Sequence, residues 1–241
     1  YLIFIFSRKL FNDTLLATCC ALTFFLLPSV SLSSFLLSTD VLLILFWIGG
    51  LIQILNIKNN PSYFNFAALG FLIGFAFLAK YAAIYFVISL ILLFIVEKNY
   101  RLIFLQSKLK LLTFLLILIL ILFPNIVWNY QNDWLTIEHT ANNASLDKIN
   151  LNLLGFLEFL ISQIVMIGPI MFVGFLLCFL KKIKINANEK LLICFALPAL
   201  FVVSLESLLV RAHANWAAVS LVTLLVFFVS CVYRLNKKII Y

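Results

Sequence analysis

Six ionisable side chains stand inside or beside long apolar runs: Asp40, Lys80, Glu158, Glu206, Arg211 and His213. An ionisable group is costly to keep at such a position, so function is the default reading of each. Arg211-Ala-His213-Ala-Asn215-Trp216 packs a guanidinium, an imidazole, an amide and an indole into six positions. A guanidinium grips phosphate through two parallel hydrogen bonds, and a lysine ammonium serves as a point charge. Arg211 and Lys80 are therefore candidates for a lipid-linked phosphate. Each group also has a plainer reading. Asp40, in Ser38-Thr39-Asp40, could cap a helix start with its side-chain oxygen. Lys80 could extend from a helix end to the headgroups. Glu158 and Glu206 could pair with Arg211 or with backbone donors, and His139, in a polar loop, could simply be solvated. Trp128, Tyr130 and Trp134 suit an interfacial aromatic belt. Arg211 is the hardest to dismiss, because it runs against the charge bias of the chain.

The elements that must position these groups are overwhelmingly apolar. Hydrophobic residues make up 65% of the 241 and charged ones 11%, with a mean hydropathy of +1.18. A soluble globule of this size needs more polar surface; a bundle embedded in a bilayer does not. The expected fold is all-α, a polytopic transmembrane helix bundle, since a helix satisfies its own backbone groups where there is no water. About eight spans are expected, near Thr14–Ser31, Val41–Leu55, Phe64–Ala79, Ala82–Val96, Leu109–Val127, Leu153–Leu180, Leu191–Leu209 and Ala214–Tyr233. The opening Tyr1-Leu-Ile-Phe-Ile-Phe6 reads as the tail of another apolar helix. Residues 1–241 are thus expected to form a single transmembrane domain that lacks its amino-terminal helix and first outer loop.

The net charge of +8 is a topology signal. Arg8, Lys9, Lys58, Lys98, Arg101, Lys108, Lys110, Lys181, Lys182, Lys184, Lys190, Arg234, Lys237 and Lys238 fall on alternate connections, leaving Lys80, Lys148 and Arg211 for the other side. This asymmetry puts the basic connections in the cytoplasm and excludes a nucleic-acid footprint. Glu206 lies 16 residues beyond Lys190, roughly 24 Å along a helix, in the outer third of a bilayer. The ionisable groups therefore gather at the outer face. Trp128 to Asn152 is expected to be the longest outer loop. The five cysteines lie inside apolar helices without metal-ligand spacing and read as small buried hydrophobes.

Several strings occur in order: Leu37-Ser-Thr-Asp40, then Gly70-Phe-Leu-Ile-Gly74-Phe-Ala-Phe-Leu-Ala-Lys80-Tyr81, then Pro124…Trp128-Asn129…Trp134, then Arg211 to Trp216. Together they resemble bacterial membrane glycosyltransferases related to the dolichyl-phosphate-mannose–protein mannosyltransferases, which include lipid A aminoarabinose and galacturonic acid transferases. The resemblance implies a GT-C-like fold in a bacterial plasma (inner) membrane, with the active site facing outward. It also implies a polyprenyl-phosphate-linked sugar donor and a lipid or protein acceptor. Asp40, Lys80, Arg211, Asn215 and Trp216 match the family's positions. Its principal catalytic carboxylate belongs to a first outer loop, which would precede Tyr1. On this basis Asp40 and His139 are the catalytic candidates. Lys80, Arg211, His213, Asn215 and Trp216 are the substrate- and phosphate-binding candidates. The cofactor is open: Asp40 and His139 could help to hold a divalent ion, but one Asp and one His are not a coordination signature, and no metal ligand is assigned. The alternatives are a polytopic transporter or flippase, or an inactive remnant of the transferase. Transporters place charged groups near the midplane of inverted repeats, which this sequence does not display.

Overall fold

The computed structural model describes residues 1–33, 38–143, 150–180 and 184–240. Lys148, Lys181 and Lys182 lie outside the described residues. The described residues are helical, with no strand among them. In chain order the helices are α1 (Leu2–Phe11), α2 (Thr14–Leu26), α3 (Pro28–Ser33), α4 (Thr39–Asn59), α5 (Tyr63–Ala79), α6 (Ile84–Val96) and α7 (Lys98–Gln106). Then come α8 (Lys108–Gln131), α9 (Leu135–Asn143), α10 (Leu153–Ile167), α11 (Pro169–Leu180), α12 (Ala187–Leu209) and α13 (Ala218–Ile240).

The all-α polytopic class is as expected; the number of spans is not. Among the described residues, four stretches are long and apolar enough to cross a membrane: Thr39–Asn59, Lys108–Gln131, Ala187–Leu209 and Ala214–Leu235. The count reaches six if each of two bent pairs is one span. Two helices fall short on length, Thr14–Leu26 and Tyr63–Ala79. The run expected to cross as Leu153–Leu180 instead turns by 103° between α10 and α11. Gly168 sits at that turn with φ of 85°, a backbone geometry that glycine adopts without strain, and Pro169 follows. A second bend, of 109°, separates the α6 segment from α7. There the apolar run gives way to the polar Glu97-Lys98-Asn99.

Two devices hold the centre. Gly70 and Gly74 lie four apart on α5 and let α8 approach closely. A Cβ on Gly70 would stand 2.5 Å from the Phe114 carbonyl oxygen, and one on Gly74 would stand 2.9 Å from Ile121. Lipid removes the hydrophobic drive between helices, so close backbone contact of this kind does the packing. Trp47 of α4, Phe86 of α6 and Phe195 of α12 form a ring cluster, with centroids 4.8–6.0 Å apart. Edge-to-face pairs at this spacing add about 0.5–1.5 kcal/mol each beyond burial. The large exposed side chains of α8, including Leu112, Leu116, Leu120 and Phe123, form its lipid-facing side.

Polar stitches close the end that carries the basic residues. Lys9 reaches Asn56 at 2.9 Å, Asn188 reaches the Leu10 carbonyl at 2.6 Å, and Tyr233 reaches Asp13 at 3.0 Å. Glu189 is fully buried there. Its carboxylate closes a capping box with Asn186 and binds Arg234 at 2.7 Å. The start of α12 is thereby pinned to the far end of α13. Asp40 opens α4, Lys80 follows α5, Glu206 lies near the end of α12 and Asn215 precedes α13, so these four stand at the ends of those helices away from Lys58, Lys190 and Arg234.

Candidate active site

Asp40 is the organising group of that opposite end. It does not cap α4, because Ser38 does: the Ser38 hydroxyl accepts the Asp40 backbone N–H at 3.2 Å. Asp40 sits in the first turn, where a carboxylate meets the positive end of the helix dipole, and its side chain is left for tertiary partners. Lys80, the residue at which α5 ends in extended backbone, donates to Asp40 Oδ1 at 2.6 Å. Asn215, in the 3-10 turn that opens α13, donates to Asp40 Oδ2 at 2.8 Å, and the Ser38 hydroxyl lies 3.3 Å from the same oxygen. Three segments distant in sequence thus meet on one carboxylate. Lys80 is turned toward Asp40.

This triad stands between two cavities. The larger, of about 600 Å³, is lined by Thr39, Lys80, Tyr85, Glu206 and Trp216 and by His139 and its neighbours on α9, among others. The smaller, of about 310 Å³, lies on the Asp40 and Asn215 side, among apolar residues of α2, α3, α10 and α13 such as Leu27, Met166 and Leu221. Both cavities are largely apolar; the larger also carries Lys80, Asn125, Thr136, His139 and Glu206 in its lining.

The stretch expected as a loop from Trp128 to Asn152 is helical up to Asn143 apart from a turn at residues 132–134, and its residues 144–149 lie outside the described residues. Pro124 does not end α8, which runs on to Gln131, and α9 follows after a turn. Asp133 and Trp134 adopt positive φ at that turn, 51° and 58°. A hydroxyl–amide network that sequence reasoning missed ties α9 down. The Tyr81 hydroxyl lies 2.7 Å from Thr136 Oγ1 and donates to Asn125 Oδ1 at 3.2 Å. Thr136 also donates to Asn129 Oδ1, and Asn129 is buried at 2% exposure. A signal existed: Asn125 and Asn129, at i and i+4 on an apolar helix, share one face.

The predicted residues divide as follows. Lys80 and Asn215 both touch Asp40. Lys80, His139 and Trp216 line the larger cavity. His213 packs edge-on against Trp216, with ring centroids 5.3 Å apart, and lies beside the cavity wall. Arg211 is exposed in the connection after α12, lines neither cavity and makes no hydrogen bond or ion pair among the described residues. Glu158 is exposed on α10. Glu206 pairs neither with Arg211 nor with anything else among the described residues, and its buried Oε2 has no hydrogen-bond partner. For a divalent ion the donors fit poorly. Both Asp40 oxygens are taken by an ammonium and an amide, and no group of three or more His, Cys, Asp or Glu among the described residues could hold a metal.

These features define a class: a polytopic helical membrane protein with a carboxylate–ammonium–amide cluster beside a cavity of about 600 Å³ at the end opposite most of its basic residues. The chain belongs to the family described as dolichyl-phosphate-mannose-protein mannosyltransferase, whose model matches residues 1–128. It is also 30% identical over 206 residues, 83% of its length, to a lipid A galacturonosyltransferase, RgtD, of Rhizobium johnstonii, and it spans 42% of that relative. No solved structure matches the chain.

Proposed function

We propose that the chain is a membrane glycosyltransferase that moves a sugar from a polyprenyl-phosphate donor to a lipid or protein acceptor on the extracytoplasmic face of a bacterial plasma membrane. The observation that carries this reading is the Asp40–Lys80–Asn215 cluster at the mouth of a cavity opposite the basic connections, in a chain of this family. The basic end faces the cytoplasm by the positive-inside asymmetry, which turns the cavity outward.

In the reaction, the acceptor oxygen forms a bond to the anomeric carbon while the bond from that carbon to the phosphate oxygen breaks. The electron pair leaves with the polyprenyl phosphate, and the acceptor proton passes to a base. Lys80 spends one N–H on Asp40 and keeps two for phosphate. Arg211, exposed in the connection between α12 and the turn that carries Asn215 and without an internal partner among the described residues, supplies the second cation. Asp40 fixes the direction of Lys80 rather than accepting the proton, since its oxygens already receive donors. His139 is the candidate proton acceptor, exposed on the cavity side. Asn215, His213 and Trp216 shape the wall on which donor and acceptor lie.

The test measures sugar transfer from a polyprenyl-phosphate hexose in membranes containing the protein as the cell makes it. Lys80→Ala and Arg211→Ala variants should each fall at least tenfold, with donor KM raised. Equal turnover in both variants, or no transfer by the native protein, overturns the reading.

A further inference from the structure

Glu206 is unused by the mechanism above, and its surroundings are unusual. It lies one turn before the end of α12, in the wall of the larger cavity, with Tyr85 and Trp216 lining the same cavity. Its Oε2 is buried without a hydrogen-bond partner, and among the described residues no side chain donates to the carboxylate. The cationic group of that cavity, Lys80, is bound to Asp40. Glu206 is half-buried, and a buried carboxylate oxygen without a donor is costly, whereas a ligand bearing O–H or N–H donors would remove the cost.

We propose that Glu206 binds the hydroxyl edge of a neutral or amine-bearing sugar in this cavity and selects against a uronic acid. A carboxylate is an acceptor-only group, so it is matched to a polyol and mismatched to another carboxylate. The Trp216 ring offers an apolar surface in the same wall, which suits the C–H face of a sugar ring whose hydroxyls point to Glu206. The volume, about 600 Å³, falls in the range of small-molecule sites. A second anion within about 4 Å of Glu206 would be repelled strongly at the low effective dielectric of such a site, so discrimination of tenfold or more is expected. The identity of this sugar as donor or acceptor ring rests on the glycosyl-transfer reading; its binding does not.

Saturation-transfer NMR on the full chain in detergent micelles tests this, with methyl glucopyranoside, methyl glucosaminide and methyl glucuronide as probes. The first two should bind and the glucuronide should bind at least tenfold more weakly. Glu206→Gln should weaken the neutral probe about tenfold, as loss of a charged hydrogen bond does, and abolish discrimination against the glucuronide. Glu206→Asp should retain the preference. Thermal unfolding of Glu206→Gln controls for folding: removing an unpaired charge should leave the midpoint unchanged or raise it. Wild-type protein that binds the glucuronide as well as the neutral probe, binds no probe, or keeps its preference in Glu206→Gln overturns the proposal. Discrimination without transfer leaves the sugar site standing and removes the transferase. Where transfer occurs, a Glu206→Gln rise in KM for the donor alone or the acceptor alone assigns the ring.

Discussion

Breaking the Asp40–Lys80 pair gives a prediction whose size follows from its geometry. At 2.6 Å, an effective dielectric of about 20 gives a gross attraction of about 6 kcal/mol. The two side chains are only 15% and 24% exposed, so desolvation offsets most of that attraction. A net coupling of about 1–3 kcal/mol is left. Asp40→Asn leaves a partly dehydrated ammonium without its counter-charge, and Lys80→Met does the same to the carboxylate. Each single variant should lower stability by about 2 kcal/mol, a fall of about 4–8 °C in the thermal midpoint for a chain of this length. The double variant Asp40→Asn/Lys80→Met removes both orphans and should be more stable than the sum of the singles by the coupling energy. A thermal-unfolding double-mutant cycle in one detergent reads this directly. Additivity within about 0.5 kcal/mol would mean that the pair is not formed, and the organising role of Asp40 would go with it.

Other perturbations reach separate parts of the account. Gly70→Ala should destabilise by about 1–3 kcal/mol through overpacking, because its methyl meets the Phe114 backbone; an unchanged midpoint would contradict the close α5–α8 contact. Thr136→Val removes the hydroxyl joining Tyr81 to Asn129 and strands a buried amide, at a cost of about 1–2 kcal/mol. Hydrogen exchange should then quicken in Leu135–Asn143 while α12 and α13 keep their protection, and uniform exchange across the chain would refute the tether. Glu189→Gln weakens the buried pair with Arg234 at the opposite end and should cost about 2–4 kcal/mol. It should leave sugar-probe binding intact, because the two ends share no polar group; loss of binding in a folded Glu189→Gln protein would argue against that separation.

Much of the site was legible residue by residue, because charges are rare in this chain and an isolated Asp40, Lys80 or Arg211 stands out against apolar neighbours. Their pairing was not legible: nothing in local spacing says that positions 40, 80 and 215 meet, since that depends on how three helices stack. Ser38 and Asp40 are both competent caps, and only the backbone geometry at Ser38 decides between them. The Tyr81, Asn125, Asn129 and Thr136 network went unread because uncharged amides and hydroxyls carry little hydropathy signal. Hydropathy found the apolar runs but not their bends, and the turn at Gly168 depends on a single positive φ. The stretch after Trp128 reads as loop because Asn, Asp and Thr have low helix propensity, yet tertiary hydrogen bonds from Thr136 hold α9 in place.

The most direct measurement maps where the lipid phosphate sits. A polyprenyl-phosphate analogue carrying a photoreactive group beside its phosphate would be crosslinked to the protein in native membranes and the adducts located by mass spectrometry. Adducts at residues 78–85 and 209–217, competed by unlabelled donor, are the predicted result. Competed adducts confined to residues 98–110 and 184–190, at the basic end, would contradict it.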